Sequence, residues 1–152
     1  MRSVILIMII ALFETEVSAQ KTTRFTPLLN SNWSNPLNWS NGKPSANDTT
    51  IVQVFLSDNC RVNENASVHD LYNENGGNLI IEDGITLIVN GDLYLAGGST
   101  IQNFGNLEIK GTIYQDGFTR LQVFSSITLQ VHKVFLVSFI KKVRAPVRYD
   151  QV

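Results

Sequence analysis

Four acidic side chains, Asp83, Asp92, Glu108 and Asp116, are the groups in this chain that could cleave a polysaccharide. Hydrolysis of a glycosidic bond needs paired carboxylates across a groove. A lyase needs acidic ligands for calcium and a basic proton acceptor. Three of the four acids stand beside turn glycines, where aspartate is expected because its side chain hydrogen-bonds to the local backbone. We therefore predict no catalytic residue.

Metal and nucleophile chemistry has no motif in this sequence. Cys60 is the only cysteine, and neither His69 nor His132 forms a motif with it, so we interpret Cys60 as a small buried apolar residue. A nonapeptide calcium repeat, G-G-x-G-x-D, would begin at Gly97-Gly98, but Ser99-Thr100 breaks it. We predict no metal site and no cofactor.

Two tryptophans, Trp33 and Trp39, stand in a doubled N-W-S-N phrase that is rich in turn-forming residues. They are the candidate ligand-binding residues, because an exposed indole offers a flat apolar face on which a sugar ring could stack. The alternative, which we favour, is that they fold over the open end of a repetitive core and seal it, as a terminal cap must.

The elements that would position these groups are set by a short repeated phrase. Gly77-Asn78-Leu79, Gly91-Asp92-Leu93 and Gly105-Asn106-Leu107 recur every 14 residues, and a copy without glycine begins at Thr119. A fixed short period is typical of a chain that stacks small units, none of which buries its apolar face alone. Such a period favours identical corners stacked along an axis.

Nine of the ten glycines lie between Gly76 and Gly117, often after Asn or Asp. These pairs favour tight turns between short strands. An antiparallel meander would use the same turns, but the recurrence favours an all-β parallel β-solenoid, a right-handed β-helix with short Gly/Asn/Asp corners and an N-terminal Trp-containing cap.

Alternation within the repeats predicts which side chains face the core. The predicted inward residues are apolar: Leu79, Ile81, Leu87, Val89, Leu93, Leu95, Ile101, Leu107, Ile109 and Ile113. The predicted outward residues lie between them: Asn78, Ile80, Thr86, Tyr94, Gln102, Glu108 and Tyr114.

Residues 1–19 are predicted to be a secretory signal peptide. Arg2 is the basic n-region, Val4 to Phe13 the apolar run, and Val17-Ser18-Ala19 a small-residue cleavage site. The apolar run is too short to span a bilayer as a helix, so we expect no stable membrane span after cleavage. The predicted localisation is secreted, extracellular or cell-surface.

The rest of the chain divides into three predicted parts. Residues 20–56 form the cap loop and first strands, 57–131 the β-solenoid repeats, and 132–152 an apolar and basic tail. Beyond residue 19 the acidic and basic residues are equal in number, eleven of each. This balance favours no polyanionic partner, and the basic tail lacks an exposed groove with stacking aromatics, so we predict no nucleic-acid binding.

One segment carries a resemblance to a known pattern. Trp33 to Val54 contains W-S-N-P-x-N-W-S-N-G-x-P and then D-T-x-I-x-x-V, ahead of the stacked G-N-L-x-I phrases. Over residues 31–117 the chain resembles the secreted β-helical surface proteins of Bacteroidetes-type bacteria and, more loosely, the extracellular domain named for its eight glycines. Residues 118–152 lack the C-terminal sorting domain of that pattern, so the chain looks like an N-terminal fragment or a reduced relative.

The resemblance implies a right-handed parallel β-helix exported to the cell surface beside adhesive or carbohydrate-active regions. The expected function is a secreted or cell-surface module with a structural, adhesive or carbohydrate-binding role, whose partner is a polysaccharide or cell-surface glycan. The alternative is a truncated carbohydrate-active enzyme, a lyase or hydrolase built on a β-helix.

Overall fold

The computed structural model describes residues 19–28, 30–53, 59–129, 134–136 and 147–149. In this part of the chain the protein is a parallel β-solenoid of about four coils, the arrangement of a right-handed β-helix. The fold class predicted from the sequence is confirmed. The only helical element among the described residues is a short 3-10 helix, Pro36–Asn38.

Fifteen short strands build the solenoid. They are β1 (Thr22–Arg24), β2 (Thr49–Gln53), β3 (Cys60–Val62), β4 (Ala66–Val68), β5 (Asp70–Glu74), β6 (Asn78–Ile81), β7 (Thr86–Val89), β8 (Leu93–Leu95), β9 (Thr100–Asn103), β10 (Asn106–Ile109), β11 (Ile113–Gln115), β12 (Arg120–Val123), β13 (Ser126–Leu129), β14 (Val134–Leu136) and β15 (Val147–Tyr149).

The strands form three parallel sheets, which are the three faces of the solenoid. Sheet 1 has the order β1-β2-β5-β8-β11-β14, sheet 2 the order β3-β6-β9-β12, and sheet 3 the order β4-β7-β10-β13-β15. The chain visits sheets 1, 2 and 3 in turn, and each coil hydrogen-bonds to the one before it. A strand therefore finds its partner one full coil away rather than across a hairpin.

The coil is longer than the repeated phrase. From β2 onward, paired residues on neighbouring coils are 19 to 22 positions apart, as in Cys60↔Leu79 and Leu71↔Leu93. A 14-residue step therefore advances the chain by two of the three faces. The leucines of successive copies, Leu79, Leu93, Leu107 and Leu121, lie on sheets 2, 1, 3 and 2. The expectation that each phrase marks an identical stacked corner is wrong for this reason.

The predicted inward residues do form the core. All ten are buried, with exposed fractions of 0% to 5%. They stack as continuous rows of aliphatic side chains along the axis, for example Leu87, Leu107 and Ile127 on sheet 3. The predicted outward residues lie half-buried or exposed, except for Ile80, which is 9% exposed. Because Ile80 alternates with buried Leu79 and Ile81, its position is still the outer side of sheet 2.

Two sequence interpretations between residues 67 and 77 are corrected. The predicted strand Ser67 to Leu71 is divided at His69, because β4 and β5 lie on different sheets. The predicted loop from Asn73 begins two residues late, since β5 continues to Glu74 and Asn73 is fully buried. The amide of Asn73 donates from Nδ2 to the backbone oxygen of Thr100, 2.9 Å away in the next coil.

The cap loop and the tail both adjoin the solenoid. Strands β1 and β2 extend sheet 1 on one side, and the backbone of β14 and β15 extends sheets 1 and 3 on the other. The signal-peptide prediction falls on residues 1–18, outside the described residues, as does most of the predicted tail.

Candidate functional site

The two candidate ligand-binding tryptophans are in the core. Trp33 is 0% exposed and Trp39 is 4% exposed. Neither ring face is open to solvent, so the interpretation of Trp33 and Trp39 as an exposed stacking platform does not hold. The turn-rich loop around them folds inward because its polar groups satisfy one another: Asn38 Nδ2 donates to the backbone oxygens of Asn30 and Asn32 at 2.8 and 2.9 Å.

The indoles form one aromatic cluster with Phe25. Trp33 and Trp39 meet edge to face with ring centroids 4.6 Å apart, and Phe25 packs on Trp39 in the same manner at 5.2 Å. Trp39 Nε1 donates to the backbone oxygen of Trp33 at 2.8 Å. The cluster joins the aliphatic core beside β3, the first strand of sheet 2, because Trp33 N donates to Arg61 O at 2.7 Å. This is the position of a terminal cap.

Two of the four candidate acids have structural roles. Asp92 Oδ1 accepts from the backbone nitrogen of Thr112 at 2.7 Å, which ties one coil to the next. Asp116 Oδ2 accepts from Gly97 N at 2.7 Å, and its Oδ1 accepts from Phe118 N at 3.1 Å. These bonds are the local backbone contacts that aspartate beside a turn glycine is expected to make.

The other two acids lie elsewhere on the surface. Asp83 is exposed at the corner between sheets 2 and 3. Glu108 lies on the outer side of sheet 3, and its Oε1 is 3.9 Å from Lys110 Nζ. Glu108 is therefore on a different face from Asp92, whereas catalytic carboxylates must flank the same bond. Among the described residues, no group of three or more His, Cys, Asp or Glu side chains could hold a metal ion.

The most distinctive surface feature is a row of tyrosines on the outer side of sheet 1. Tyr72, Tyr94 and Tyr114 occupy the same position on β5, β8 and β11. Their rings are stacked face to face, with centroids 4.2 Å apart for the first pair and 4.7 Å apart for the second, and with planes within 7° of parallel. We call these three residues the tyrosine row.

The stacking follows from the backbone. Parallel strands in register lie about 4.8 Å apart, so identical side chains at one register position are superimposed almost by translation along the axis. Rings of equal shape then stack with little adjustment of their rotamers. Exposure increases along the row, from half-buried Tyr72 and Tyr94 to Tyr114, which is 40% exposed.

Carboxylates flank the tyrosine row on both sides. On one side, Asp70 and Asp92 lie at successive coils, where Asp92 N donates to Asp70 Oδ1 at 2.8 Å. On the other side are Glu74, at the end of β5, and Asp116, directly after β11. The hydroxyl of Tyr94 donates to Asp92 Oδ2 at 3.3 Å. Burial, together with Tyr72 and the Asp92 carboxylate, raises the pKa of Tyr94 well above its ordinary value, so the phenol stays protonated.

The row offers hydroxyls and ring edges rather than ring faces. Both faces of Tyr94 are covered by its neighbours, and a phenol edge combines apolar carbon with one polar group that both donates and accepts. The same chemistry thus repeats once per coil along the axis. A ligand with a repeating unit can contact such a row at several coils.

A second aromatic stack lies at the corner between sheets 2 and 3. Phe104 and Phe124 have ring centroids 4.7 Å apart and are both exposed. They are purely apolar and carry no polar neighbour that would orient a ligand. Cys60 is buried in the core, where burial raises the pKa of its thiol well above the ordinary value, so it is not an activated nucleophile.

The sequence interpretation placed Tyr94 and Tyr114 outside but did not find the row. Finding it requires the coil length, because Tyr72, Tyr94 and Tyr114 are separated by 22 and 20 residues rather than by 14. The signal in the sequence is the recurrence of an aromatic residue flanked by inward-facing residues at that longer spacing.

Among the described residues, no helix is both long enough and apolar enough to span a membrane. No protein-family model matches the chain, and neither a curated protein nor a solved structure matches it.

Proposed function

We propose that this chain is a non-catalytic, secreted or cell-surface β-helical module that binds a neutral polysaccharide through the outer face of sheet 1. The observation that carries the proposal is the tyrosine row with carboxylates on both of its sides. The predicted signal peptide and the resemblance to exported β-helical proteins support the location. A structural or adhesive role at the surface follows from binding a polymer along the solenoid axis.

Tyrosine suits contact with sugars because it joins an apolar ring to a hydroxyl that can both donate and accept. A row of three presents this group at intervals of one coil. Because the ring faces are occupied by stacking, the glycan contacts are hydroxyl hydrogen bonds and packing against ring edges. The rigid sheet fixes the spacing before binding, which reduces the entropy lost on association.

The flanking carboxylates define the class of glycan. Asp70, Glu74, Asp92 and Asp116 accept hydrogen bonds and therefore pair with sugar hydroxyls. They also give the face a negative potential, which disfavours polymers that carry uronate or sulfate groups. Arg24, on the outer side of β1, donates to Gln53 Oε1 at 2.7 Å and lies at the N-terminal end of this face. The expected ligands are neutral polysaccharides.

The alternative of a truncated carbohydrate-active enzyme has less support. Asp92 and Asp116 already accept backbone hydrogen bonds, and Glu108 lies on sheet 3, away from the tyrosine row. A hydrolase or lyase would release new reducing or unsaturated ends from a bound polymer. Incubation with each glycan and measurement of such ends separates the two functions.

The binding test uses affinity electrophoresis with a neutral glucan, a neutral xylan and a uronate polymer. Wild-type protein should be retarded by at least one neutral polymer and not by the uronate polymer. The triple variant Tyr72→Phe, Tyr94→Phe and Tyr114→Phe keeps the stack and removes the hydroxyls, so it should lose retardation. Thr128→Val, which removes a hydroxyl from the outer side of sheet 3, is the matched control and should bind as the wild type does.

Three results would overturn the proposal. Wild-type protein that binds no polymer leaves only a structural role. Equal retardation of the triple variant places binding elsewhere on the surface. Equal retardation by the uronate polymer contradicts the electrostatic argument.

A further inference from the structure

The geometry points to the tyrosine row as an oxidative cross-linking site, at which a haem peroxidase and hydrogen peroxide join Tyr94 to Tyr72 or Tyr114 through a carbon–carbon bond. The inference concerns covalent modification of the row and does not depend on glycan binding. The product would be a dityrosine link between adjacent coils of the solenoid.

Proximity is the first argument. Tyr94 lies between two stacked partners, with centroids 4.2 Å from Tyr72 and 4.7 Å from Tyr114 and with planes within 7° of parallel. Because the strands are parallel and in register, each ring carbon faces the corresponding carbon of the neighbouring ring. A phenoxyl radical formed on one ring therefore has a coupling partner in van der Waals contact, which makes the second step effectively intramolecular.

The chemistry balances with peroxide as the oxidant. Each of two tyrosines gives up one electron and its phenolic proton, and the two phenoxyl radicals couple at the carbons next to the hydroxyl-bearing carbon. Loss of the two ring hydrogens from those carbons then restores both phenols. The two electrons and two protons released overall reduce one hydrogen peroxide, whose O–O bond breaks, to two water molecules. The linked pair has two hydrogen atoms fewer than the separate tyrosines.

Accessibility and proton transfer favour the row over other oxidisable side chains. Tyr114 is 40% exposed, so a peroxidase product can reach it, whereas Trp33 and Trp39 are buried. The hydroxyl of Tyr94 already donates to Asp92 Oδ2 at 3.3 Å, and that carboxylate can accept the proton when the ring is oxidised. The chain has four tyrosines, of which only Tyr149 lies outside the row.

A covalent link between coils would take the place of a disulfide. Cys60 is the only cysteine, so the chain has no intrachain disulfide. A link between Tyr94 and Tyr114 would join two coils whose other connection is the intervening chain, and would limit the freedom of the unfolded state as a disulfide does. We expect the linked protein to unfold at a higher denaturant concentration than the unlinked protein.

The test treats the full-length protein, at low concentration, with peroxidase and hydrogen peroxide. Dityrosine is detected by its fluorescence, and the linked residues are identified by mass spectrometry. Cleavage after lysine and arginine leaves Tyr72 and Tyr94 in peptide 62–110 and Tyr114 in peptide 111–120. A Tyr94–Tyr114 link therefore joins two peptides, and further cleavage at Glu82 or Asp83 reveals a Tyr72–Tyr94 link.

The expected result is a monomeric product with an intramolecular link that always includes Tyr94. The variant Tyr94→Phe keeps the stacked ring but separates the two remaining tyrosines of the row, so it should lose the link. Tyr149→Phe is the matched control and should retain it. Absence of dityrosine in the wild type, links only between two chains, or equal yield in Tyr94→Phe would each overturn the inference.

Discussion

Asp92 Oδ1 accepts a hydrogen bond from the backbone nitrogen of Thr112, 2.7 Å away and one coil further along the solenoid. The bond replaces a strand-to-strand contact at the corner, where the backbone ladder of sheet 1 has not yet begun. The acid that the sequence offered as a possible catalyst is thus part of the connection between coils. Its substitution should affect stability rather than turnover.

Asp92→Ala should lower the free energy of unfolding by about 1–2 kcal/mol, because a hydrogen bond to a charged acceptor is lost and Asp92 is only half-buried. Asp83→Ala, at an exposed corner, should change it by less than about 0.5 kcal/mol. Urea titration followed by circular dichroism measures both. Equal effects of the two substitutions would contradict the structural role of Asp92.

Gly105→Ala should destabilise the protein by about 1–3 kcal/mol, since a methyl group at this position would overlap the backbone oxygens of Ile85 and Glu82 in the preceding coil. Backbone atoms at a packed corner cannot rotate away as a side chain does. Gly117→Ala is the matched control, because no atom lies within 4 Å of the added carbon. A wild-type midpoint for Gly105→Ala would show that the coils are less closely packed than described.

Asp48 makes folding sensitive to acid. Its side chain is 1% exposed, and it accepts from Ser45 N and Ser45 Oγ, both at 2.7 Å. Burial alone would raise the pKa of Asp48, but the hydrogen bonds from Ser45, the Lys21 backbone and the charge of Lys21 together lower it below its ordinary 3.8. Since the folded pKa is the lower one, the stabilisation is complete above about pH 4 and is lost as the pH falls through the folded value.

Comparison of wild-type protein with Asp48→Asn tests this linkage. The wild type should lose more of its urea midpoint between pH 6 and pH 3 than Asp48→Asn does, because the variant has no proton to bind at this position. At pH 6 the variant should be the less stable protein, since an amide can accept from Ser45 through only one oxygen. A parallel decline of the two proteins would assign the acid sensitivity to other carboxylates.

Trp33 and Trp39 are the only tryptophans, so fluorescence reports on the cap alone. Since both indoles are buried, iodide should quench the folded protein far less than the urea-unfolded protein, and polysaccharide should leave the emission unchanged. Efficient quenching of the folded state, or a shift in emission on adding glycan, would restore the exposed-platform interpretation.

Local patterns were sufficient to predict most of the core. Alternation places Leu79, Leu93 and Leu107 inward whichever sheet they belong to, because the side-chain period of a strand is two residues. The turn chemistry of Asp83-Gly84 was also readable, and Gly84 has a positive φ of 73°. These features depend on near neighbours in the chain.

Features that depend on contacts between coils were not predictable from the repeated phrase. The corner at His69 contains no glycine, and the interior position of Asn73 is stabilised by the backbone oxygen of Thr100, 27 residues away. The tyrosine row likewise appears only when the coil length is known. A polar residue that is satisfied by a distant carbonyl has the same local sequence signature as a loop residue.

The mismatch between the phrase and the coil limits how such a gene can lengthen. Insertion of one extra 14-residue copy would move everything downstream around the axis by two faces, so that Tyr114 would leave the sheet that carries Tyr94. Three copies restore the arrangement, as Asn78 and Arg120 demonstrate: they are 42 residues apart and occupy the same row of sheet 2. Tandem duplication therefore preserves the surface only in steps of a whole coil or of three phrases.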